Sequence, residues 1–420
     1  MKKIIFIGGG ITSCVVAMFL AKKGHSVEIY EKKDYLGGIL KDFNTESGIF
    51  LRGCKYFNVE NNWFKFFFGG LSADLISFTQ SYGVLVENCG KFFISDKYAV
   101  PLFPDIDLKK LILNSKNVDF KNIRTVSERF TFYPKKIKNF LKKIILKYKV
   151  NPDKLYHTSV AGFQISRIAS QTKQKEIYHL KKKNSVFNEI LALDRASLLK
   201  KMPIAALPKN GYDSLFKNIR TQLLNYKVKI ETKSLIHPEW HNKKLKLYNK
   251  NLEIGNDLVI WTGDPTKLVS TFNKKILDST YLKMIQFNSN IIKSKNFKII
   301  YIQVFSDNSN ITRISLYKVN NIEKISIETI FDNVKDHNYV YEEALKILKK
   351  FNILLILDNS TFTKNLDVRF NVISDKDEII LNEFNISTKN TNLLNSSLLD
   401  YGIDNKIDFL LKKLRKKKYL

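Results

Sequence analysis

Residues 3–31 read KIIFIGGGITSCVVAMFLAKKGHSVEIYE. Lys3 to Ile7 is a short apolar, β-branched run, the kind buried inside a parallel sheet. Gly8-Gly9-Gly10-Ile11-Thr12-Ser13 follows, and then Cys14 to Ala21 places apolar residues at helical spacing up to Gly24. Ser26 to Tyr30 predicts a second strand. Glu31 closes it, roughly twenty residues after the glycines, with Lys32 beside it.

The order is strand, glycine turn, helix, strand, acid, and each part has a physical task. Gly8 permits the tight turn. Gly10 lets backbone approach a pyrophosphate on the helix N-terminus, where Ile11, Thr12 and Ser13 present N–H groups and the dipole favours anions. Glu31 can accept hydrogen bonds from ribose hydroxyls. Ser13 stands where a third glycine is usual, and is small enough to keep helix and strand close. The pattern predicts a dinucleotide-binding Rossmann-type domain.

Outward from this segment, 420 residues predict two or three lobes. The net charge of +30 fits either a lysine- and asparagine-rich codon bias or attraction to anionic partners. No homeodomain, zinc-finger or RNP pattern is visible, so nucleic acid is not expected. The tail Lys412 to Lys418 offers peripheral contact with anionic lipid, or else a solvated helix end whose cations suit the dipole. Cys14, Cys54 and Cys89 are too scattered for a metal site or disulfide framework. Gly8-Gly9-Gly10 interrupts any signal-like apolar start, and no run of about 18 apolar residues occurs. The expected location is cytoplasmic.

The expected fold class is α/β, with an interleaved layout. The Rossmann-type domain collects residues 1–70, 205–265 and 370–420. Residues 71–204, with helical spacing in Lys135 to Lys149, predict a mostly helical insert. Residues 266–369 predict an antiparallel-sheet substrate domain, from the strand-like runs FKIIYIQVF, ITRISLYKV and KISIETIF. Glu342 to Lys350 and Ile403 to Lys417 predict helices. The Asn-rich stretch 385–395 predicts loops.

Glu31-Lys32-Lys33-Asp34-Tyr35-Leu36-Gly37-Gly38 resembles the acid-then-Gly-Gly pattern of a large flavoprotein group containing amine oxidases, protoporphyrinogen oxidases, carotenoid desaturases and UDP-galactopyranose mutases. The resemblance implies FAD as cofactor, with Gly37 and Gly38 wrapped around it. Further segments are similar to the mutases: Gly48 to Asn58, Tyr98-Ala99-Val100-Pro101-Leu102, Pro208 to Leu215, Val259-Ile260-Trp261-Thr262-Gly263 and Ile311-Thr312-Arg313-Ile314. By that likeness Gly53, Thr262 and Gly263 border the FAD, and Arg313 holds a diphosphate. Arg313 also reads as half of a cross-strand ion pair. Lys55 stands where the mutases carry a flavin-facing histidine, Asn210 replaces a glycine, and the C-terminal Gly-Arg is absent. Tyr401 stands in for a substrate-contacting tyrosine.

The resemblance implies a mutase acting on a UDP-sugar in surface glycan synthesis, with NAD(P)H as reductant of the flavin. An oxidoreductase of the amine oxidase or protoporphyrinogen oxidase type is the second reading, since lysine facing flavin occurs in several amine oxidases. A non-catalytic flavoprotein relative is the third.

Overall fold

In the computed structural model the described residues are all except 54, 117–118, 194–201, 279, 331–336 and 397–402; for 367–371 only the backbone is described. Strand β1 (Lys3–Ile7), helix α1 (Ile11–Lys22) and strand β2 (Ser26–Tyr30) form as the opening segment predicts. β1 is the middle of a five-stranded sheet ordered Lys229–Glu231, β2, β1, Leu258–Trp261, Leu393–Asn395, with every neighbouring pair parallel. Parallel strands are covered on both faces, which is why Ile4, Ile5 and Phe6 are apolar without alternation and fully buried.

α1 is buried nearly all round, because the C-terminal helix Ile403–Lys416 packs along it through Ile407, Leu410, Leu411 and Leu414. Stretches far apart in the chain thus contribute strands and helices to this sheet and its cover. Residues 385–395 depart from the expected loops: helix Asp375–Ser387 runs into this stretch and Leu393–Asn395 forms the last strand of the parallel sheet. Leu393 and Leu394 are buried there, so the apolar pair outweighs the asparagines around it.

The second sheet has eight strands and includes Thr280–Lys295, Ile300–Ser306, Ile311–Val319 and Ile322–Ile330. It is antiparallel except where Ile300–Ser306 runs parallel to Tyr82–Asn88. Here the insert departs from expectation. Residues 71–204 begin with three strands, Leu75–Thr79, Tyr82–Asn88 and Lys91–Ser95, and the last two extend the substrate-side sheet. Only from Leu108 onward is the insert helical, around a core that includes Leu111, Phe130, Phe140, Leu141 and Ile145. Strand Thr280–Lys295 was unforeseen because its buried face carries Gln286 and Asn288, which satisfy each other rather than showing apolar alternation. No helix among the described residues is long and apolar enough to cross a membrane.

Candidate functional site

The glycine turn is locked by hydrogen bonds that leave one face open. Gly8 N–H donates to the Tyr30 carbonyl and Gly37 N–H to the Gly9 carbonyl, each at 2.8 Å. Glu31 is buried and its Oε2 accepts from Gly9 N–H at 2.6 Å, while Oε1 accepts from Lys33 N–H at 2.9 Å. The acid therefore braces the turn as well as facing the cavity. Gly8 sits at φ +107°, and a Cβ there would lie 2.7 Å from Thr262 Oγ1. Gly10 is different: a Cβ there would meet nothing within 4 Å. Ser13 is fully buried, and its hydroxyl lies 2.8 Å from Thr262 Oγ1, so a hydrogen bond takes the place of the close contact a glycine gives.

α1 starts at Gly10 with no side-chain cap and no acid in its first turn. Its orphan N–H groups and the positive end of its dipole face a cavity of about 810 Å³. Gly8, Gly10, Ile11, Thr12, Glu31, Gly37, Gly38, Gly53, Lys55, Thr262, Gly263 and Arg313 all line it. Twelve of the fifteen residues singled out from sequence thus meet in one space. Ser13 stands behind the wall, Lys32 is exposed and does not line the cavity, and Tyr401 lies outside the described residues.

The C-terminal helix adds Ile403, Asp404 and Lys406 to the lining. Trp63 Nε1 donates to Asp404 Oδ1 at 3.0 Å. Burial raises the Asp404 carboxyl above its usual range, and the Trp63 hydrogen bond partly offsets this. At the other end of this helix His25 Nε2 lies 2.9 Å from the Tyr419 carbonyl. The two helices therefore run side by side in the same direction, and both N-terminal ends face the cavity.

On the sheet side, Arg313 is committed to protein partners. Its Nε donates to Glu328 Oε1 at 2.7 Å, its Nη2 also reaches Glu328 and, at 3.4 Å, the Gly53 carbonyl, and its Nη1 donates to Tyr301 OH at 3.1 Å. Burial alone would disfavour the charge, but Glu328 and Tyr301 more than restore it and hold the guanidinium above its ordinary pKa. The cross-strand ion pair is present, on a residue that also borders the cavity. Gly53 N–H donates to Gln286 Oε1 at 3.0 Å, so both sides of the Gly53 residue are held by the sheet just ahead of Lys55.

Sequence reasoning missed Lys97, Arg167, Tyr82, Tyr301 and Asp404, which also line the cavity. Lys97 and Arg167 are exposed single cations in irregular segments of a lysine-rich chain, and nothing local distinguishes them.

A family profile described as NAD(P)-binding Rossmann-like domain matches residues 7–68. Over 40 residues the chain is 52% identical to 1-hydroxycarotenoid 3,4-desaturase of Flavobacterium sp. (strain P99-3), a match spanning 10% of this chain and 8% of that enzyme. The whole architecture is similar to a reduced UDP-galactopyranose mutase, at TM-score 0.68 and 13% identity over 100% of this chain and 97% of that one. The chain has the fold shared by UDP-galactopyranose mutase and the amine oxidases. Cyclohexylamine oxidase from Brevibacterium oxydans IH-35A is the amine-oxidase counterpart, with TM-score 0.64 and 11% identity over 99% of each chain. The expected cofactor of this fold is FAD, and the residues present suit it. A Cβ at Gly10 would meet no protein atom within 4 Å, so the backbone there is open to the cavity, and about 810 Å³ is within the range of cofactor pockets.

Proposed function

We propose that the chain is an FAD-dependent enzyme acting on an anionic substrate, with a nucleotide sugar the best-fitting class and isomerisation the favoured reaction. One observation carries the reading: the charges around the cavity. Away from the glycine turn the lining cations among the described residues are Lys55, Lys97, Arg167, Lys406 and Arg313, the last paired with Glu328. The lining carboxylates among the described residues are Glu31, bound to Gly9, and Asp404, bound to Trp63. A cationic amine entering this space would face like charge, whereas a diphosphate would find opposite charge.

Within that reading the parts have separate tasks. Backbone at Gly10, Ile11 and Thr12 would hold the cofactor's diphosphate, Glu31 its ribose, and Gly37, Gly38, Thr262 and Gly263 its flanks. Bound flavin supplies the redox or nucleophilic chemistry. Arg167 and Lys97 are the exposed cations suited to an incoming phosphate, while Arg313 is occupied by Glu328 and Tyr301 and braces the wall. Lys55 lines the same cavity and would be the ionisable group facing the flavin.

The direct test is binding of UDP, UDP-galactose and putrescine to flavin-loaded, dithionite-reduced protein. UDP and the UDP-sugar are expected to bind and putrescine not to. Arg167→Ala should weaken the nucleotide by about tenfold or more, since one hydrogen bond to a charged group is worth about 1.5–3 kcal/mol. Binding of putrescine with peroxide release supports the amine-oxidase reading instead, and a folded but colourless protein that refuses flavin supports the non-catalytic one.

A further inference from the structure

The parallel arrangement of α1 and the C-terminal helix has a second end. α1 is 12 residues long, so its C-terminus lies about 18 Å from the cavity along the helix axis. At that end the His25–Tyr419 contact brings the chain terminus beside Lys22 and Lys23. The Lys22 ammonium lies 4.8 Å from the centre of the Tyr226 ring, which follows helix Tyr212–Asn225 and precedes Lys227. The Lys2 carbonyl accepts from Ser26 N–H at 3.0 Å, which places Lys2 on the same end.

Three helix C-termini and the chain's start therefore share one face. Lys2, Lys22, Lys23, Lys227, Lys417 and Lys418 are all exposed on it. Among them stand exposed apolar groups: Met1 is 97% exposed, Leu224 50% and Tyr226 37%. One exposed acid at this end is Asp257, whose Oδ2 accepts the Lys3 N–H at 2.7 Å. The apolar side of the C-terminal helix is used up in the core, so that helix cannot lay leucines into a bilayer. What the face offers is cation density with a few apolar and aromatic tips.

We propose that this face is a peripheral docking surface for an anionic lipid bilayer. A membrane presents many negative headgroups in a plane, which matches lysines spread over several helix ends. Interfacial apolar and aromatic tips add shallow contact without insertion. A nucleic acid is the other anionic partner such lysines could meet, and the test below separates the two. Docked this way, the molecule holds the cavity on its far side, open to soluble substrate. The surface is independent of the proposed reaction.

The test is sedimentation of the full chain with phosphatidylcholine vesicles, with and without phosphatidylglycerol. Binding is expected only with phosphatidylglycerol, and release at high salt. Each lysine near an anionic surface contributes about 1 kcal/mol, or about fivefold. The variant Lys22→Gln/Lys23→Gln/Lys417→Gln/Lys418→Gln should therefore bind roughly several hundredfold more weakly. A control removing the exposed lysines of the insert helix, Lys135→Gln/Lys136→Gln/Lys143→Gln, should bind as the parent does. Equal loss in the control means that net charge alone drives binding and overturns the proposal. So does unchanged binding by the face variant, or tighter binding to duplex DNA than to the vesicles. If the fourfold variant misfolds, the pairs Lys22→Gln/Lys23→Gln and Lys417→Gln/Lys418→Gln serve separately, each expected to lose about twenty-fivefold.

Discussion

Arg313 and Glu328 face each other on neighbouring antiparallel strands, with Nε to Oε1 at 2.7 Å and both side chains buried. Removing one partner strands a buried charge, which costs about 3–5 kcal/mol, whereas replacing both with apolar groups costs far less. Arg313→Met and Glu328→Met singly are expected to lower unfolding stability by that amount in urea titration, and the double variant to recover most of it. If the double loses as much as the sum of the singles, the pair is not the coupled unit described.

The two glycines of the turn separate folding from binding. Gly8→Ala is strained by its φ of +107° and its Cβ would press on Thr262, so it should reduce stability by about 1–3 kcal/mol. Gly10→Ala meets no protein atom and should leave the melting temperature of flavin-free protein unchanged, while weakening FAD binding by tenfold or more. Fluorescence of released flavin and calorimetry of the flavin-free protein read the two effects apart. Equal FAD affinity in Gly10→Ala would remove the phosphate cradle from that position.

Lys324 is 2% exposed, and its Nζ reaches Asn290 Oδ1 at 2.5 Å. Burial lowers its pKa from 10.5 to about 8. Between those values the unfolded chain holds a proton that the folded chain has released, so stability rises with pH across about 8 to 10.5. Below about 8 the folded state carries the buried charge at a cost. Lys324→Met is expected to flatten the rise and to leave stability at neutral pH equal or higher. A parallel pH profile in the variant would show that another group governs this window; Lys181, also lowered to about 8, is the next to replace.

His157 provides an acid-side check. Burial, with Arg129 nearby, lowers its pKa from 6.5 to about 4. The unfolded chain therefore takes up a proton first as pH falls, and stability should decline from about pH 6.5 to 4. His157→Gln should decline less over that window in thermal unfolding scans, and an equally steep decline would assign the effect to other groups.

Lys55 is expected to tune the flavin rather than hold the fold. Its carbonyl accepts from the Tyr212 hydroxyl, a main-chain contact that a side-chain change leaves in place. Lys55→Ala should keep the melting temperature within about 2 °C, since exposed and half-exposed changes cost little. It should shift the visible flavin spectrum or its reduction potential. An unchanged spectrum and potential would take the ammonium away from the flavin.

How much was legible in the sequence depended on whether the signal was local. The turn after β1 needs glycine at Gly8 for its backbone angle, and the helix after it needs an uncapped N-terminus. Both requirements are written in consecutive residues, and so were the strand periods of Ile311–Val319 and Ile322–Ile330. Tyr82–Asn88 forms a local hairpin with Lys91–Ser95 across Cys89-Gly90 that the sequence reading passed over, whereas its place beside Ile300–Ser306, more than two hundred residues away, was open only to the tertiary structure.

The glycine turn and the strand–helix–strand order behind the α/β class were therefore determined by sequence alone, since both are written within residues 3–31. The use of Arg313, the presence of Lys97 and Arg167 in the cavity, and the gathering of three helix ends into one basic face were decided only by the tertiary structure. A side chain's partners there come from strands and helices far apart in sequence, and burial, not residue type, settles whether a charge pairs inside the protein or faces what binds to it.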